Sequence, residues 1–191
     1  MNICVYGASS QEIDPSFLEA GKALGLCMAR RGHGLVFGAG DNGMMGAVAR
    51  GITEGGGTSI GIAPSFFNVD GVIYPHCDTL IRTETMRERK QRMEDSSEAF
   101  IMTAGGIGTF EEFFEILTLK QLGRHQKPIV ILNTNGYYDR MLEMIDEAVD
   151  ARFILPEVKQ LYFVTEDVES ALDYIENDKP TDVTPTVFKK I

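Results

Sequence analysis

The sequence predicts an α/β fold, a Rossmann-like and mostly parallel sheet with helices on both faces in a single domain. Short apolar runs that polar residues do not interrupt alternate along the chain with longer amphipathic patterns, as is typical of parallel sheets covered on both sides. Glycines separate the helical patterns from the strands that follow them, at residues 32–34 and 55–57. The domain is expected to span residues 1–178, and residues 179–191, which include Pro180 and Pro185, are expected to form a loosely ordered C-terminal tail.

Six strands and six helices follow from these patterns in chain order. The strands are predicted at residues 2–6, 34–38, 58–62, 99–103, 128–132 and 161–164, where the apolar runs are short. The helices are predicted at residues 15–32, 43–55, 86–97, 109–122, 137–151 and 167–176, where apolar residues recur with helical spacing. Thr85 with Glu88 three residues later forms a capping box at the start of the helix predicted at residues 86–97.

The composition is that of an ordinary globular protein, and it disfavours two classes of partner. The chain has 191 residues, 43% apolar and 24% charged, which suits one domain. A formal net charge of −10 disfavours sequence-independent binding to nucleic acid or to an anionic membrane. The sequence contains neither a spanning apolar stretch nor a basic region followed by an apolar one at the N-terminus. We therefore expect a cytoplasmic protein.

The cysteines and histidines show no spacing typical of a metal site or of a catalytic thiol. The cysteines are odd in number, and we interpret them as reduced thiols. No histidine accompanies any of them at a spacing typical of a nucleophile and its base. These residues are Cys4, Cys27 and Cys77, and His33, His76 and His125. No metal is implied.

Three glycine-containing loops follow predicted strands, at residues 7–10, 38–43 and 104–109. Ligands of open parallel sheets bind at the carboxyl ends of the strands, so one ligand could contact all three loops. Ser9 could contribute to such a site, and it fits equally well as a residue that starts a helix. The second loop, which contains Gly40, matches the GxGxxG dinucleotide pattern. The acidic residue expected about 20 positions later is replaced by residues 62–64 (IAP), which disfavours a dehydrogenase.

Residues 104–112 (AGGIGTFEE) are the most informative segment of the chain. A strand ends, glycines allow a tight turn, and the free N–H groups of a helix N-terminus favour a phosphate. Thr109 is predicted to cap the helix and to offer its hydroxyl to the phosphate. Glu111 and Glu112 would repel an anion, so they indicate chemistry beyond phosphate binding. The alternative is a tight turn with glutamates that favour the helix dipole.

Residues 85–93 (TMRERKQRM) form a second candidate segment. Met86, Arg89, Lys90 and Met93 have the i, i+3, i+4, i+7 spacing of one helix face. Cations on a face that carries two methionines favour an inward-facing anion site for Arg89 and Lys90, whereas Arg87 and Arg92 are expected in solvent. The alternative is a solvated run of charges.

Together, residues 86–90 (MRERK) and 105–112 (GGIGTFEE) resemble the LONELY GUY (LOG) family, whose paired motifs are MHxRK and PGGxGTxxE. The resemblance continues through residues 36–46 and 121–138 and covers roughly residues 2–175. Three positions depart from the family pattern: Arg87 replaces His, Ala104 replaces Pro and Ala39 replaces Gly. Ala104 leaves the glycines of the turn in place, so we expect phosphate binding to be retained. Arg87 adds a charge near the site and could alter which base or phosphate is accepted.

The LOG resemblance implies hydrolysis of the N-glycosidic bond of an adenine-type nucleoside 5′-monophosphate, either a cytokinin riboside monophosphate or AMP. The products would be free base and ribose 5-phosphate, and no cofactor is implied. The implied catalytic residues are Glu112, which would stabilise an oxocarbenium-like transition state, and Arg89, which would hold ribose or phosphate and keep Glu112 ionised. The implied substrate-binding residues are Lys90, Gly105, Gly106, Ile107, Gly108 and Thr109, with Thr118, Ser9 and Gly40.

The resemblance also implies a homodimer with the active site near the interface. The predicted helix 109–122 is apolar on two sides, and the second side would be covered by the partner subunit.

Two other functions remain as alternatives. A carrier of a nucleotide or of a molybdenum cofactor could share the fold, but it would gain nothing from Glu112. The family's older lysine decarboxylase label would require a lysine that forms a Schiff base with pyridoxal phosphate, and Lys90 lies among arginines instead. The sequence leaves open which base is preferred and whether the assembly is larger than a dimer.

Overall fold

A computed structural model describes residues 1–67 and 72–178 and shows one seven-stranded sheet in which every pairing is parallel. The strand order is β4-β3-β2-β1-β5-β6-β7. The strands are β1 (Asn2–Tyr6), β2 (Gly34–Phe37), β3 (Ser59–Pro64), β4 (Thr79–Thr83), β5 (Ala99–Met102), β6 (Ile129–Leu132) and β7 (Phe163–Thr165).

Helices connect most of the consecutive strands. They are α1 (Pro15–Arg30), α2 (Gly43–Glu54), α3 (Met86–Asp95), α4 (Ile107–Gln121), α5 (Asp139–Asp150) and α6 (Val168–Asn177), with short 3-10 helices at Thr134–Gly136 and Pro156–Gln160. Within residues 1–67 and 72–178, no helix combines the length and the apolar character needed to cross a membrane.

Alternate side chains of the central strands fill two cores, one on each face of the sheet, because successive residues of a strand point to opposite faces. Ile3 and Val5 of β1 pack with residues of α1, α2 and α6 in one core. Cys4 and Tyr6 pack with residues of α3, α4 and α5 in the other. The prediction of a sheet covered by helices on both faces is therefore confirmed.

All six predicted strands and all six predicted helices are present, with ends that differ by a few residues. The edge strand β4 was not predicted, because polar residues flank its short apolar centre and only Thr83 of the strand is buried. The sheet proved to be entirely parallel. The predicted tail at residues 179–191 lies outside the described residues.

The strand order places a ligand-binding crevice beside β1. This strand pairs with β2 on one side and with β5 on the other. Strands β2–β4 are added on one side of β1 and strands β5–β7 on the other, so the strand order reverses at β1. Open α/β sheets bind ligands at such a reversal, beyond the carboxyl ends of the strands. The loops after β1, β2 and β5 meet at this edge, and they are the three loops that contain the glycines noted above.

Candidate active site

A cavity of about 540 Å³ lies at the carboxyl edge of the sheet, a volume in the usual range for a small-molecule site. The three glycine loops and α3 contribute to its walls. Most of the predicted site residues line it: Ser9, Gly40, Arg89, Gly106, Ile107, Gly108, Thr109 and Glu112. One ligand can therefore contact all three loops.

The turn between β5 and α4 exposes a helix N-terminus to the cavity. The helix begins at Ile107, two residues earlier than predicted, and its N-cap is Gly106, which supplies no side-chain cap. The expectation that Thr109 caps the helix is therefore wrong. Thr109 lies inside the first turn with its side chain buried against Gly105, where an added Cβ would lie 2.1 Å from Thr109 Oγ1. The first-turn N–H groups have no intrahelical partner and can bind an anion.

A tyrosine from the loop after β6 holds this turn in place. Tyr137 Oη donates a hydrogen bond to the carbonyl oxygen of Gly105 at 2.8 Å. Its neighbour Tyr138 is buried and donates to the carbonyl oxygen of Thr103 at 2.7 Å. Gly105 therefore lies beneath the site, away from the cavity wall, and it supports the turn that α4 starts from.

The side chain of Arg89, a residue of α3, is buried and lines the cavity. The sequence predicted such an inward-facing cation. Its Nε donates to the carbonyl oxygen of Ile62 at 3.1 Å, and its Nη1 donates to Glu112 Oε1 at 3.4 Å. The guanidinium lies so close to Gly38 that an added Cβ would be 1.9 Å from Nη2. Only glycine at position 38 leaves room for this arginine. The capping of α3 by Thr85 is confirmed, since Glu88 N donates to Thr85 Oγ1 at 3.1 Å.

Glu112 faces Arg89 from α4, and its side chain is only 12% exposed. Burial raises the pKa of this carboxyl to about 7, and the nearby Arg89 offsets part of that rise. Arg89 was expected to keep Glu112 ionised, but burial outweighs its effect. The carboxyl therefore changes charge near neutral pH, the range in which catalytic acids and bases commonly titrate.

Besides Gly105, two predicted site residues do not line the cavity. Lys90 Nζ forms ion pairs with Glu111 and with Glu115 Oε2, the latter at 2.9 Å, on the outer side of the contact between α3 and α4. These carboxylates hold the ammonium group, and Lys90 does not line the cavity. Thr118 is exposed further along α4 and does not line the cavity.

An apolar wall of the cavity was not predicted as part of the site. It consists of Met45, Phe67, Val72, Ile73 and Met86. Two backbone hydrogen bonds place this wall: Asp41 N donates to Val72 O and Tyr74 N donates to Ala39 O, each at 2.9 Å. Met86 is 39% exposed and lines the cavity. The exposed aromatic pair Phe66–Phe67 was the one sequence signal that could have indicated a contact surface.

The second loop has a conformation that favours glycine at one position where this chain carries alanine. Ala39 has φ of 61°, in the left-handed region. The LOG pattern has glycine there, which relieves this strain. This chain therefore carries a buried methyl group at a position whose backbone conformation favours glycine.

The described residues contain neither an evident metal site nor an ionised thiol. No three His, Cys, Asp or Glu side chains within residues 1–67 and 72–178 lie where they could share a metal ion. All three cysteines are free, and burial raises the pKa of Cys4 to about 12 and that of Cys77 to about 11. These thiols are protonated at neutral pH and are poor nucleophiles.

Comparisons with known proteins identify relatives of this sequence. A family model described as "Possible lysine decarboxylase" matches residues 45–175. The cytokinin riboside 5′-monophosphate phosphoribohydrolase LOG3 of Arabidopsis thaliana is 38% identical over 159 residues, 83% of this chain and 74% of the relative. The enzyme LOG7 of the same plant, which carries the same activity in its name, is 34% identical over 178 residues, 93% of this chain and 82% of the relative.

Solved structures show the same fold. The Moco carrier protein from Chlamydomonas reinhardtii is 26% identical, with a TM-score of 0.69 over 92% of this chain and 94% of that one. The molybdenum cofactor binding protein from Rippkaea orientalis is 21% identical, with a TM-score of 0.67 over 92% of this chain and 93% of that one.

Proposed function

The chain belongs to the LOG family, and on this premise we propose that it hydrolyses the N-glycosidic bond of an adenine-type nucleoside 5′-monophosphate. The substrate would be a cytokinin riboside monophosphate or AMP, and the products would be free base and ribose 5-phosphate. Water is the only other reactant.

The pairing of Arg89 with Glu112 inside the cavity carries this proposal. A binding protein for an anionic nucleotide gains from the arginine, but a buried carboxylate opposes the ligand's charge. The carboxylate is useful where positive charge develops during the reaction, as it does when the bond between a sugar and a base breaks. Glu112 lies at the cavity with its pKa near neutrality, which suits that role.

The N-terminus of α4 is the proposed phosphate site. The N–H groups of Ile107, Gly108 and Thr109 belong to the first turn, and all three residues line the cavity. Glu112 lies further along the same helix, so a phosphate at the N-terminus would leave the ribose between it and the carboxylate. Arg89 would contact ribose or phosphate through its Nη2 group, for which the described residues provide no acceptor.

The proposed reaction replaces the bond from C1′ to the base nitrogen with a bond from C1′ to a water oxygen. The ionised Glu112 stabilises the cationic ribose and orients the attacking water. One proton of the attacking water passes to Glu112, which then releases it to solvent, and the departing base nitrogen takes up one proton from solvent. The overall reaction therefore adds one water and leaves the enzyme unchanged. The apolar wall formed by Phe67, Met86 and their neighbours would contact the base.

Two observations oppose the alternatives. A Schiff-base lysine needs a lowered pKa, whereas two carboxylates hold Lys90 in its charged form and its pKa is raised despite partial burial. The similar fold of the Moco carrier protein from Chlamydomonas reinhardtii makes a carrier function the main alternative. A carrier function does not explain why a carboxylate, that of Glu112, lies beside Arg89 in the cavity.

We also propose a cytoplasmic homodimer with the active site near the interface. The support comes from both ends of α4, where Ile107 is 83% and Leu122 60% exposed. Exposed apolar side chains favour cover by a second subunit, and Ile107 also lines the cavity.

A panel of nucleosides and nucleoside 5′-monophosphates, with released base detected by chromatography, tests the proposed activity. We expect release from AMP or from an N6-substituted analogue to exceed release from the matching nucleoside by at least about 10²-fold, because the binding energy of the phosphate is lost in the nucleoside. Equal rates on AMP and adenosine would contradict the phosphate site. Tight binding of AMP without cleavage would favour the carrier.

A further inference from the structure

We propose that Lys90 is a positioning residue for Glu112, because it neutralises the two carboxylates of α4 that flank Glu112 and so allows that residue to ionise at the cavity. The inference rests on the proposed function, in which Glu112 is the catalytic carboxylate. It assigns to Lys90 a role that involves no contact with the nucleotide.

Three glutamates crowd one region of α4. Glu112 and Glu115 are three residues apart and Glu111 and Glu115 are four apart, spacings at which side chains of a helix are neighbours and like charges repel. Without compensation, ionised Glu111 and Glu115 would oppose ionisation of the buried Glu112. Their repulsion would be strongest there, because a buried charge is poorly screened by solvent.

A single ammonium group contacts both flanking carboxylates. Lys90 Nζ forms an ion pair with Glu111 Oε1 and another with Glu115 Oε2 at 2.9 Å. The lysine side chain is 18% exposed, whereas those of Glu111 and Glu115 are 54% and 42% exposed, so solvent screens part of this pairing. The adjacent residue Arg89 contacts Glu112 itself. Thus Arg89 pairs with Glu112, and the next residue of α3, Lys90, pairs with Glu111 and Glu115.

The position of Lys90 argues against a direct contact with substrate. The residues of α3 that line the cavity are Met86 and Arg89, and Lys90 is not among them. Its ammonium group is already held by two carboxylates, and a phosphate would have to displace them. An effect of Lys90 on catalysis must therefore pass through Glu111 and Glu115, or through the field that it exerts on Glu112.

The charges around Glu112 support this division of roles. Burial raises the pKa of Glu112 most strongly; Arg89 and Lys90 lower it, and Glu111 and Glu115 raise it. Ionisable groups face Glu112 from three elements: Arg89 and Lys90 on α3, Glu111 and Glu115 on α4, and Cys4 and Tyr6 on β1. Burial raises the pKa of both groups on β1, so they stay neutral and the charges of α3 and α4 decide the balance.

The test is the pH dependence of kcat on AMP for four variants, each compared with the wild type. Lys90→Met leaves Glu111 and Glu115 unneutralised, so we expect the acidic limb of the kcat profile to move upward by about half a pH unit or more, with KM on the plateau nearly unchanged. Lys90→Arg should restore the wild-type limb. In the combined variant Lys90→Met with Glu111→Gln and Glu115→Gln, the limb should lie at or below its wild-type position.

Lys159→Met is the matched control, because it removes a lysine ion-paired with Asp146 on another part of the surface. Its limb should not move. Two results would overturn the inference: an unmoved limb in Lys90→Met, or an upward shift that persists in the combined variant. An unmoved limb together with a raised KM would show that Lys90 binds phosphate directly.

A carboxyl ¹³C NMR titration of Glu112, assigned with Glu112→Gln, separates failure of this inference from failure of the proposed function. If the wild type fails to cleave any nucleotide, the proposed function is wrong, yet the pKa of Glu112 can still be compared in the same variants. An upward shift in Lys90→Met that the combined variant reverses would support the role of Lys90. The absence of a shift would refute it.

Discussion

Replacing Glu112 with glutamine should make the protein more stable at alkaline pH and leave its stability unchanged at acidic pH. Burial raises the folded-state pKa of this carboxyl from 4.5 to about 7. Between these two values the folded state binds the proton and the unfolded state does not, so the wild type loses stability as pH rises through this window. Below about pH 4.5 both states are protonated and the contribution disappears.

The size of the effect follows from the pKa shift. A difference of roughly 2.5 pKa units, at about 1.4 kcal/mol per unit, makes the ionised Glu112 unfavourable by about 3 kcal/mol above pH 7. Glutamine resembles the protonated carboxyl in shape, and it avoids this unfavourable charge. For a chain of this length, about 3 kcal/mol corresponds to a rise in Tm of roughly 6–12 °C.

Thermal unfolding followed by circular dichroism at pH 4.5 and at pH 8 measures this gain. Glu112→Gln should unfold at the wild-type Tm at pH 4.5 and well above it at pH 8. Glu143→Gln, a change at an exposed glutamate, should match the wild type at both values. A Glu112→Gln variant with no gain at pH 8, or with the same gain at both pH values, would show that burial does not oppose the charge of Glu112.

Three other predictions concern the binding site and the assembly. Arg89→Ala should weaken AMP binding by roughly 10- to 100-fold in calorimetry, since a charged hydrogen bond is worth about 1.5–3 kcal/mol, and unchanged affinity would exclude a contact between Arg89 and the nucleotide. Gly38→Ala should weaken AMP binding in a similar way, because its Cβ would displace the Arg89 guanidinium. Gly40→Ala is the control and should have a smaller effect, because its Cβ meets the flexible end of Met45. Wild-type affinity in Gly38→Ala would contradict the close approach of Arg89 to Gly38. Light scattering at micromolar concentration should give twice the chain mass of 21.1 kDa, and a fully active monomer would refute the dimer.

The fold could be predicted from sequence because burial leaves a regular pattern in the chain. The central strands are apolar on both faces, and the helices between them are amphipathic, so their types and order follow from periodicity. The edge strand β4 lacks this pattern because most of its residues are at least partly exposed. Its place in the sheet depends on pairing with β3, a contact that periodicity does not reveal.

The candidate site was predictable only where local spacing decides the outcome. Arg89 was indicated by its spacing on one helix face with two methionines, and the catalytic roles of Arg89 and Glu112 came from the resemblance of residues 86–90 and 105–112 to the LOG motifs. The same spacing grouped Lys90 with Arg89, but it could not show that Glu111 and Glu115 would hold Lys90 outside the cavity. The wall at Val72 depends on hydrogen bonds to a loop some thirty residues earlier, which no local pattern encodes.

The most direct test of the proposed mechanism is single-turnover cleavage of AMP or an N6-substituted analogue by the wild type and by Glu112→Gln, with nucleotide affinity measured in parallel at pH 8. We predict that the variant binds nucleotide within a few-fold of the wild type but releases base at least about 10²-fold more slowly, because it lacks the charge that stabilises the transition state. Release by Glu112→Gln at the wild-type rate would contradict the assignment of Glu112 as the catalytic carboxylate.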